Sequence, residues 1–373
     1  MKRIVIILIV ISLFISCQND KRNNKEAITF GIALSLTGDG ADYGQKSLKG
    51  INAAKAVILK NFGVNINFKI EDTGSDPKKA VSAINKLILQ DKMDFIVGDI
   101  ISGTTLAMAP VAEKNKKMLF APGASNPSMR DAGDYIFRNW TSDNFDGKVI
   151  ANYCMSNNLD KIGLIYQQTD YTVGLIQAFK EEFLKLGGEI ILEESFSTGN
   201  NNLTPIISKF KENKINNVFI SAYSMGTGYI LKQSYELNYK PNWFSSLTVE
   251  MPDCGEIAGK ARDGVIFSTP AFSLNDTSII VQQFVNEFKD LYNELPETTA
   301  GHAFDAIYLL SKLLIESKSK DMEIIKKAIY NTKNFKGVTG TMTFDDHGDV
   351  LKNIFIKKME ADSSILIKNY EIN

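Results

Sequence analysis

Short apolar runs alternate with amphipathic stretches along this chain, in two successive series, and few folds tolerate that pattern. From residue 28, "ITFGIAL" reads as a strand and "GQKSLKGINAAKAVILKN" as a helix. "NINFKIED", "MDFIVGD" and "KMLFAP" are further strands, separated by the helices "SDPKKAVSAINKLILQ" and "TTLAMAPVAEKN". In the first of these two helices Asp76 is the N-cap and Pro77 holds the first helical position. Val81, Ile84 and Ile88 fall on one face of it. Pro110 inside the second predicts a kink or a late helix start. After Trp140 the alternation restarts. "KIGLIYQ", "EIILEE", "NNVFISA" and "NWFSSL" are strands, and "YTVGLIQAFKEEFLKLGG", "LTPIISKFKEN" and "GTGYILKQSYEL" are helices. Strands alternating with helices imply parallel sheets covered on both faces. Two series imply an α/β protein of two doubly wound lobes, which suits a length of 373 residues. Residues from about 277 to 335 add mainly helices, and "GTMTFDDHGDVLKNIFIKKM" closes the chain as a hairpin-like pair of strands.

The N-terminus carries its own message. Lys2 and Arg3 precede an apolar run over residues 4–15 that is too short to span a bilayer and fits a signal-peptide core. The run ends in "FISC", which resembles the lipobox of bacterial lipoproteins, although Phe14 stands where Leu is commoner. That resemblance implies cleavage and lipidation at Cys17; a plain signal peptide or an uncleaved anchor is the alternative. "QNDKRNNKE" then reads as a flexible tether, so the mature chain is expected outside the cytoplasm, held to a membrane surface. That compartment permits a disulfide between Cys154 and Cys254. Cys154 sits in the expected helix "KVIANYCMSN", where a buried free thiol is the simpler reading.

Net charge is −1 and basic blocks are missing beyond the N-terminal tail, which removes the electrostatic case for nucleic acid. Two histidines argue against metal or His-based catalysis. Ligands in open parallel sheets bind beyond the carboxyl ends of strands. Those ends read "SLTGDGADYG", "GDIISGTT", "APGASNP", "YQQTDYTVG", "SAYSMGTG" and "SSLTVEMP", rich in Gly, Ser and Thr. None pairs a nucleophile with a base. "GDGADYG" is one residue too long for a dinucleotide fingerprint, and a glycine-rich turn explains Gly38 and Gly40 better. Ser102, Gly103, Thr104 and Thr105 precede a helix and either cap it or hold an anion there. Gly123, Ala124 and Ser125 end the neighbouring strand, and their small size bares backbone donors and acceptors. Tyr43, Tyr171 and Tyr223 stand at strand-to-helix junctions, better placed to wall a pocket than to fill a core. "DDHGD" (Asp345, Asp346, His347, Asp349) lacks calcium-loop spacing and reads as a solvated turn.

Eight stretches in register resemble the leucine/isoleucine/valine-binding protein family of type I periplasmic binding proteins, the solute-binding subunits of ABC importers. They are "GIALSLTGDGADYGQKSLKG", "DPKKAVSAINKLI", "VGDIISGTTLAMAPVAEK", "APGASNP", "YIFRNWTSD", "DYTVGL", "IAGKARDGVIFSTP" and "GTMTFDDHGD". The resemblance implies two Rossmann-like lobes that close by a three-crossing hinge. With crossings near Thr141, Ala271 and Gly340, lobe one is 27–141 plus 271–339, and lobe two is 142–270 plus 340–373. It implies that Ser102, Gly123, Ala124 and Ser125 hold the carboxylate and part of the ammonium of an amino acid, with the three tyrosines lining the pocket. The glutamate that pairs with the ammonium in the family falls here on Leu247 or Thr248, and Glu250 is the nearby substitute. A branched-chain or other aliphatic amino acid is then the expected ligand, with amides, urea-like solutes and aromatic acids as alternatives. No catalysis and no cofactor are implied. Expected partners are permease subunits and the membrane, the latter through the anchor, with the protein itself a monomer. A sensory ectodomain of the same fold and a Rossmann oxidoreductase are the rival readings.

Overall fold

The computed structural model describes residues 27–371. Cys17, the signal segment and the tether lie outside the described residues.

The first series builds a five-stranded parallel sheet from β1 (Ile28–Leu34), β2 (Ile66–Asp72), β3 (Phe95–Gly98), β4 (Met118–Ala121) and β5 (Ile136–Arg138), in the order β2-β1-β3-β4-β5. Four of these strands, all but β2, are wholly or almost wholly buried, as strands in a doubly covered sheet should be. β5 escapes sequence reading because three residues cannot display a period; Ile136 pairs with Leu119 and extends the sheet by one strand. The Ser102–Lys114 helix runs through Pro110, so the late start is not observed.

The second series gives β6 (Lys161–Gln167), β7 (Glu189–Phe196), β8 (Asn217–Ser221), β9 (Asn242–Ser246) and β10 (Ile266–Pro270), all parallel. β14 (Ile354–Glu360) adds antiparallel to β10, and β15 (Ser363–Tyr370) to β14. The full order is β15-β14-β10-β9-β8-β6-β7. β11 (Phe335–Gly337), β12 (Gly340–Phe344) and β13 (Val350–Leu351) form a separate antiparallel sheet. The C-terminal region is therefore not one hairpin. Phe344 pairs with Val350, after which the chain departs for the other lobe.

That departure corrects the expected third crossing at Gly340. Met342, Phe344 and Val350 pack into the same core as Phe30, Phe120 and Phe137, and the rings of Phe120 and Phe344 stand 6.0 Å apart. Residues 340–351 thus belong with the first lobe, because burying three large apolar side chains there is worth several kcal/mol, at about 1.5–3 kcal/mol each. The chain crosses at Lys352 and Asn353, where the Asn353 carbonyl accepts from the Ala271 amide at 2.9 Å. The late helices, Ile279–Tyr292, Thr298–Ser317 and Met322–Tyr330, cover the first sheet. Cys154 and Cys254 are free thiols buried in different cores of the second lobe.

The long Ala41–Phe62 helix packs tightly on Thr298–Ser317. A Cβ at Gly50 would lie 2.0 Å from the Ala300 carbonyl oxygen, so only hydrogen fits there. Gly50→Val is expected to push the helices apart and lower stability by about 1–3 kcal/mol, the usual cost of overpacking. Chemical denaturation reads the loss as a lower midpoint.

Candidate functional site

The carboxyl ends of both sheets face one another across a cleft. Tyr43, Ile100 and Ile101 of the first lobe form a small apolar cluster with Met251, Tyr223 and Leu247 of the second. The Tyr43 hydroxyl accepts from the Ser224 amide at 3.1 Å, and Asn126 Nδ2 donates to the Asp170 carbonyl at 2.5 Å. The lobes are therefore in contact, and they close over a small cavity.

The first polar wall is the rim expected from sequence. Ser102, Gly123 and Ser125 line the cavity. The Ser102–Lys114 helix opens toward it, and the first amides of any helix lack intrahelical partners. Gly123 is small of necessity, since a Cβ there would sit 2.0 Å from Ile100 Cδ1. Ala124 does not line the cavity. It is fully buried, and its carbonyl accepts from Arg138 Nη1 at 3.1 Å. The same nitrogen donates to the Asn126 carbonyl at 2.8 Å, while Nε and Nη2 grip Asp349 at 2.7 and 3.0 Å. A buried guanidinium thus holds the "GASN" turn from behind. Asp349 is consequently no solvated turn residue; its side chain is only 7% exposed. Asp345 does shape a turn, accepting from the His347 and Asp349 amides. On the other side of Ser102, buried Asp99 ties three elements together. It accepts from the Ser35 hydroxyl at 2.7 Å, Thr73 at 2.6 Å and Thr104 at 2.8 Å.

The aromatic wall is also as expected. Tyr43, Tyr171 and Tyr223 all line the cavity. Tyr223 stands 6.0 Å from Tyr43 and 5.5 Å from Tyr171, ring centre to ring centre. The Tyr171 hydroxyl shares a 2.7 Å hydrogen bond with Ser246. Glu250 is elsewhere. It pairs with Lys357 at 3.2 Å and with the Ser364 hydroxyl, beside a different surface depression. The 3-10 turn Leu247–Val249 after β9 carries it past the cleft, and only Leu247 and Thr248 remain on the wall.

What sequence reading missed is the acidic wall. Asp143 and Asp146 open the Asp143–Ser156 helix immediately after the first crossing, and both line the cavity. Ser142 caps that helix, so the two aspartates look like ordinary first-turn acids when only the sequence is read. Folding turns them inward. Asp143 accepts from the Ser125 hydroxyl at 3.1 Å, and its amide donates to the Ser125 carbonyl at 2.9 Å. Burial, then the neighbouring Asp146 charge, drives the Asp143 carboxyl well above its ordinary range, while Ser125 and Arg138 oppose this. Burial lifts Asp146 to about 6, with Ser268 and Thr141 opposing. Trp140, Ser268 and Thr299 also line the space. Among the described residues no Lys, Arg or His does, and no group of His, Cys, Asp and Glu is arranged to hold a metal.

Two parallel-sheet lobes closing strand ends over a small cavity are the architecture of a solute-binding protein. The chain belongs to the periplasmic binding protein family, whose model matches residues 27–363. The Leu/Ile/Val-binding protein homolog 1 of Brucella suis is 28% identical over 327 residues, covering 86% of this chain and 87% of its own length. A leucine-, isoleucine-, valine-, threonine- and alanine-binding protein of Pseudomonas aeruginosa is 26% identical over 334 residues, covering 88% of each chain. The isoleucine complex of a branched-chain amino acid transporter binding protein from Streptococcus pneumoniae superposes with a TM-score of 0.84 at 25% identity. It covers 92% of this chain and 99% of that one. A Rhodopseudomonas palustris solute-binding protein in complex with benzoate shares the fold at 19% identity and a TM-score of 0.83, covering 92% and 96%. No described helix is long and apolar enough to cross a membrane.

The grip of Arg138 on Asp349 can be tested directly. Asp349→Ala leaves a buried guanidinium unpaired, which is expected to cost about 3–5 kcal/mol. Thermal unfolding should show the fall, with Asp349→Asn intermediate because it keeps one acceptor.

Proposed function

We propose that this protein is the lipid-anchored, extracytoplasmic binding subunit of an ABC importer, and that its ligand is a small amino acid held between the lobes without catalysis. One observation carries the ligand reading. The cavity sets a rim of neutral donors beside the buried carboxyl of Asp143, and among the described residues no cation lines it. An α-amino acid has its anion and its cation on one carbon. Its carboxylate suits Ser102, Gly123 and Ser125, and the adjacent ammonium suits Asp143, which touches Ser125. Asp143 then takes the part for which Glu250 was considered, and the tyrosines cover the side chain.

An aromatic acid fits this charge pattern poorly. Benzoate would bring an anion beside two buried carboxyls and no cation to meet either, at a cost that grows in a low-dielectric site. The named specificities of the Brucella and Pseudomonas relatives support an amino acid as well. The anchor rests on Cys17 and its preceding apolar run. Lobe closure around the ligand would be the form read by the permease.

Ser102→Ala combined with Ser125→Ala removes two hydroxyls from the rim. Each hydrogen bond to a charged group is worth about 1.5–3 kcal/mol, so affinity should fall by about 100-fold or more, with the melting temperature of the free protein largely kept. Micromolar binding of the same ligand by the double mutant counts against the site. A calorimetric comparison of amino acids, amides, urea and benzoate identifies the ligand class.

Binding should also depend on pH. The cavity aspartates are held partly protonated by burial, Asp146 to about 6. An incoming ammonium favours their ionised forms, so binding expels protons and affinity rises with pH through about 6. Dissociation constants at about pH 5 and about pH 7.5 are expected to differ several-fold, tighter at the higher pH. A flat or inverted profile is inconsistent with carboxylates facing the ammonium.

A further inference from the structure

Asp143 by itself satisfies the charge of one ammonium, which leaves Asp146 unexplained. Asp146 lies one helical turn further on, and its hydrogen-bond partner is the Thr141 hydroxyl at 3.1 Å. An ionised carboxylate buried with so little support is costly unless a cation meets it. Two more groups on the cavity wall are equally incomplete. The Thr299 hydroxyl is buried without a hydrogen-bond partner. So is that of Ser268, which stands near enough to Asp146 to ease its charge but makes no hydrogen bond of standard geometry. Buried polar atoms in native proteins are nearly always paired, so orphan hydroxyls on residues that line a cavity point to a partner that arrives from outside.

We infer that the cleft holds a second cation subsite, formed by the Asp146 carboxylate with the Ser268 and Thr299 hydroxyls, and that the ligand is a short amino acid bearing an ammonium on its side chain. This rests on the amino-acid reading above and narrows it. The chemistry is complementary: an ammonium has three N–H donors and no acceptor, and the subsite supplies three acceptors. The charge balance agrees. With two ionised aspartates, a neutral-side-chain zwitterion leaves the closed cavity at −2, whereas a diamino acid leaves it at −1. Trp140, Leu175 and Pro270 also line the cavity and suit the methylenes between the two charged ends. The subsite draws on residues next to the first and second crossings, Asp146 and Ser268, and on the start of the Thr298–Ser317 helix. A side-chain ammonium there would bind elements that must come together when the lobes close.

Titration calorimetry on the full-length protein tests this with three probes of similar size: norvaline, 2,4-diaminobutyrate and ornithine. The wild type is expected to bind at least one diamino acid about tenfold or more tightly than norvaline. Asp146→Asn keeps the shape but removes the charge, and should cut that preference about tenfold. Thr299→Val, which removes only the hydroxyl, should reduce it in the same direction, and serves if the Asn variant fails to fold. Norvaline bound as tightly as both diamino acids, or a preference unaltered by either substitution, overturns the second subsite while leaving the amino-acid reading intact. Failure of all three probes to bind the wild type, with an amide or aromatic acid binding instead, overturns both.

Discussion

The buried Arg138 side chain is the interaction on which the cavity rim depends. Its fork closes on Asp349, and its remaining nitrogen reaches the carbonyls of Ala124 and Asn126. A loop of small residues has little side-chain packing to hold its shape. Without a fixed donor behind it, the "GASN" turn would gain entropy by moving, and each residue so freed is worth about 1–2 kcal/mol. The guanidinium is suited to the task because it is planar, permanently charged and able to serve a carboxylate and two carbonyls at once. Asp349 lies just before the third crossing, so the ion pair also ties the rim to the hinge.

Asp99 does the same for the other half of the rim. It gathers hydroxyls from the ends of two neighbouring strands and from the first turn of the Ser102–Lys114 helix. Buried charges thus hold both halves of the rim by hydrogen bonds. The acidic wall is built differently. Asp143 and Asp146 face the cavity with sparse support, and burial raises both.

Much of the fold was legible in the residues. Apolar runs alternating with amphipathic stretches define two doubly wound lobes, and the N-cap at Asp76 and the rim at Ser102, Gly123 and Ser125 follow from local chemistry. The misses are physical as well. β5 is too short to show a period. The third crossing depends on where Met342, Phe344 and Val350 find a core, which is a long-range question. Asp349 looked solvated because nothing local announces that Arg138, 211 residues away, will reach it.

Sequence by itself determined the fold class, the strand ends that meet at the cleft, and a rim of small and hydroxylic residues, because each rests on short-range pattern and residue size. Only the tertiary structure decided which charges face the cavity. It turned Glu250 away toward Lys357 and brought Asp143 and Asp146 inward. Whether a carboxylate meets solvent, a lysine or a cavity depends on what long-range packing sets beside it, and no spacing along the chain encodes that.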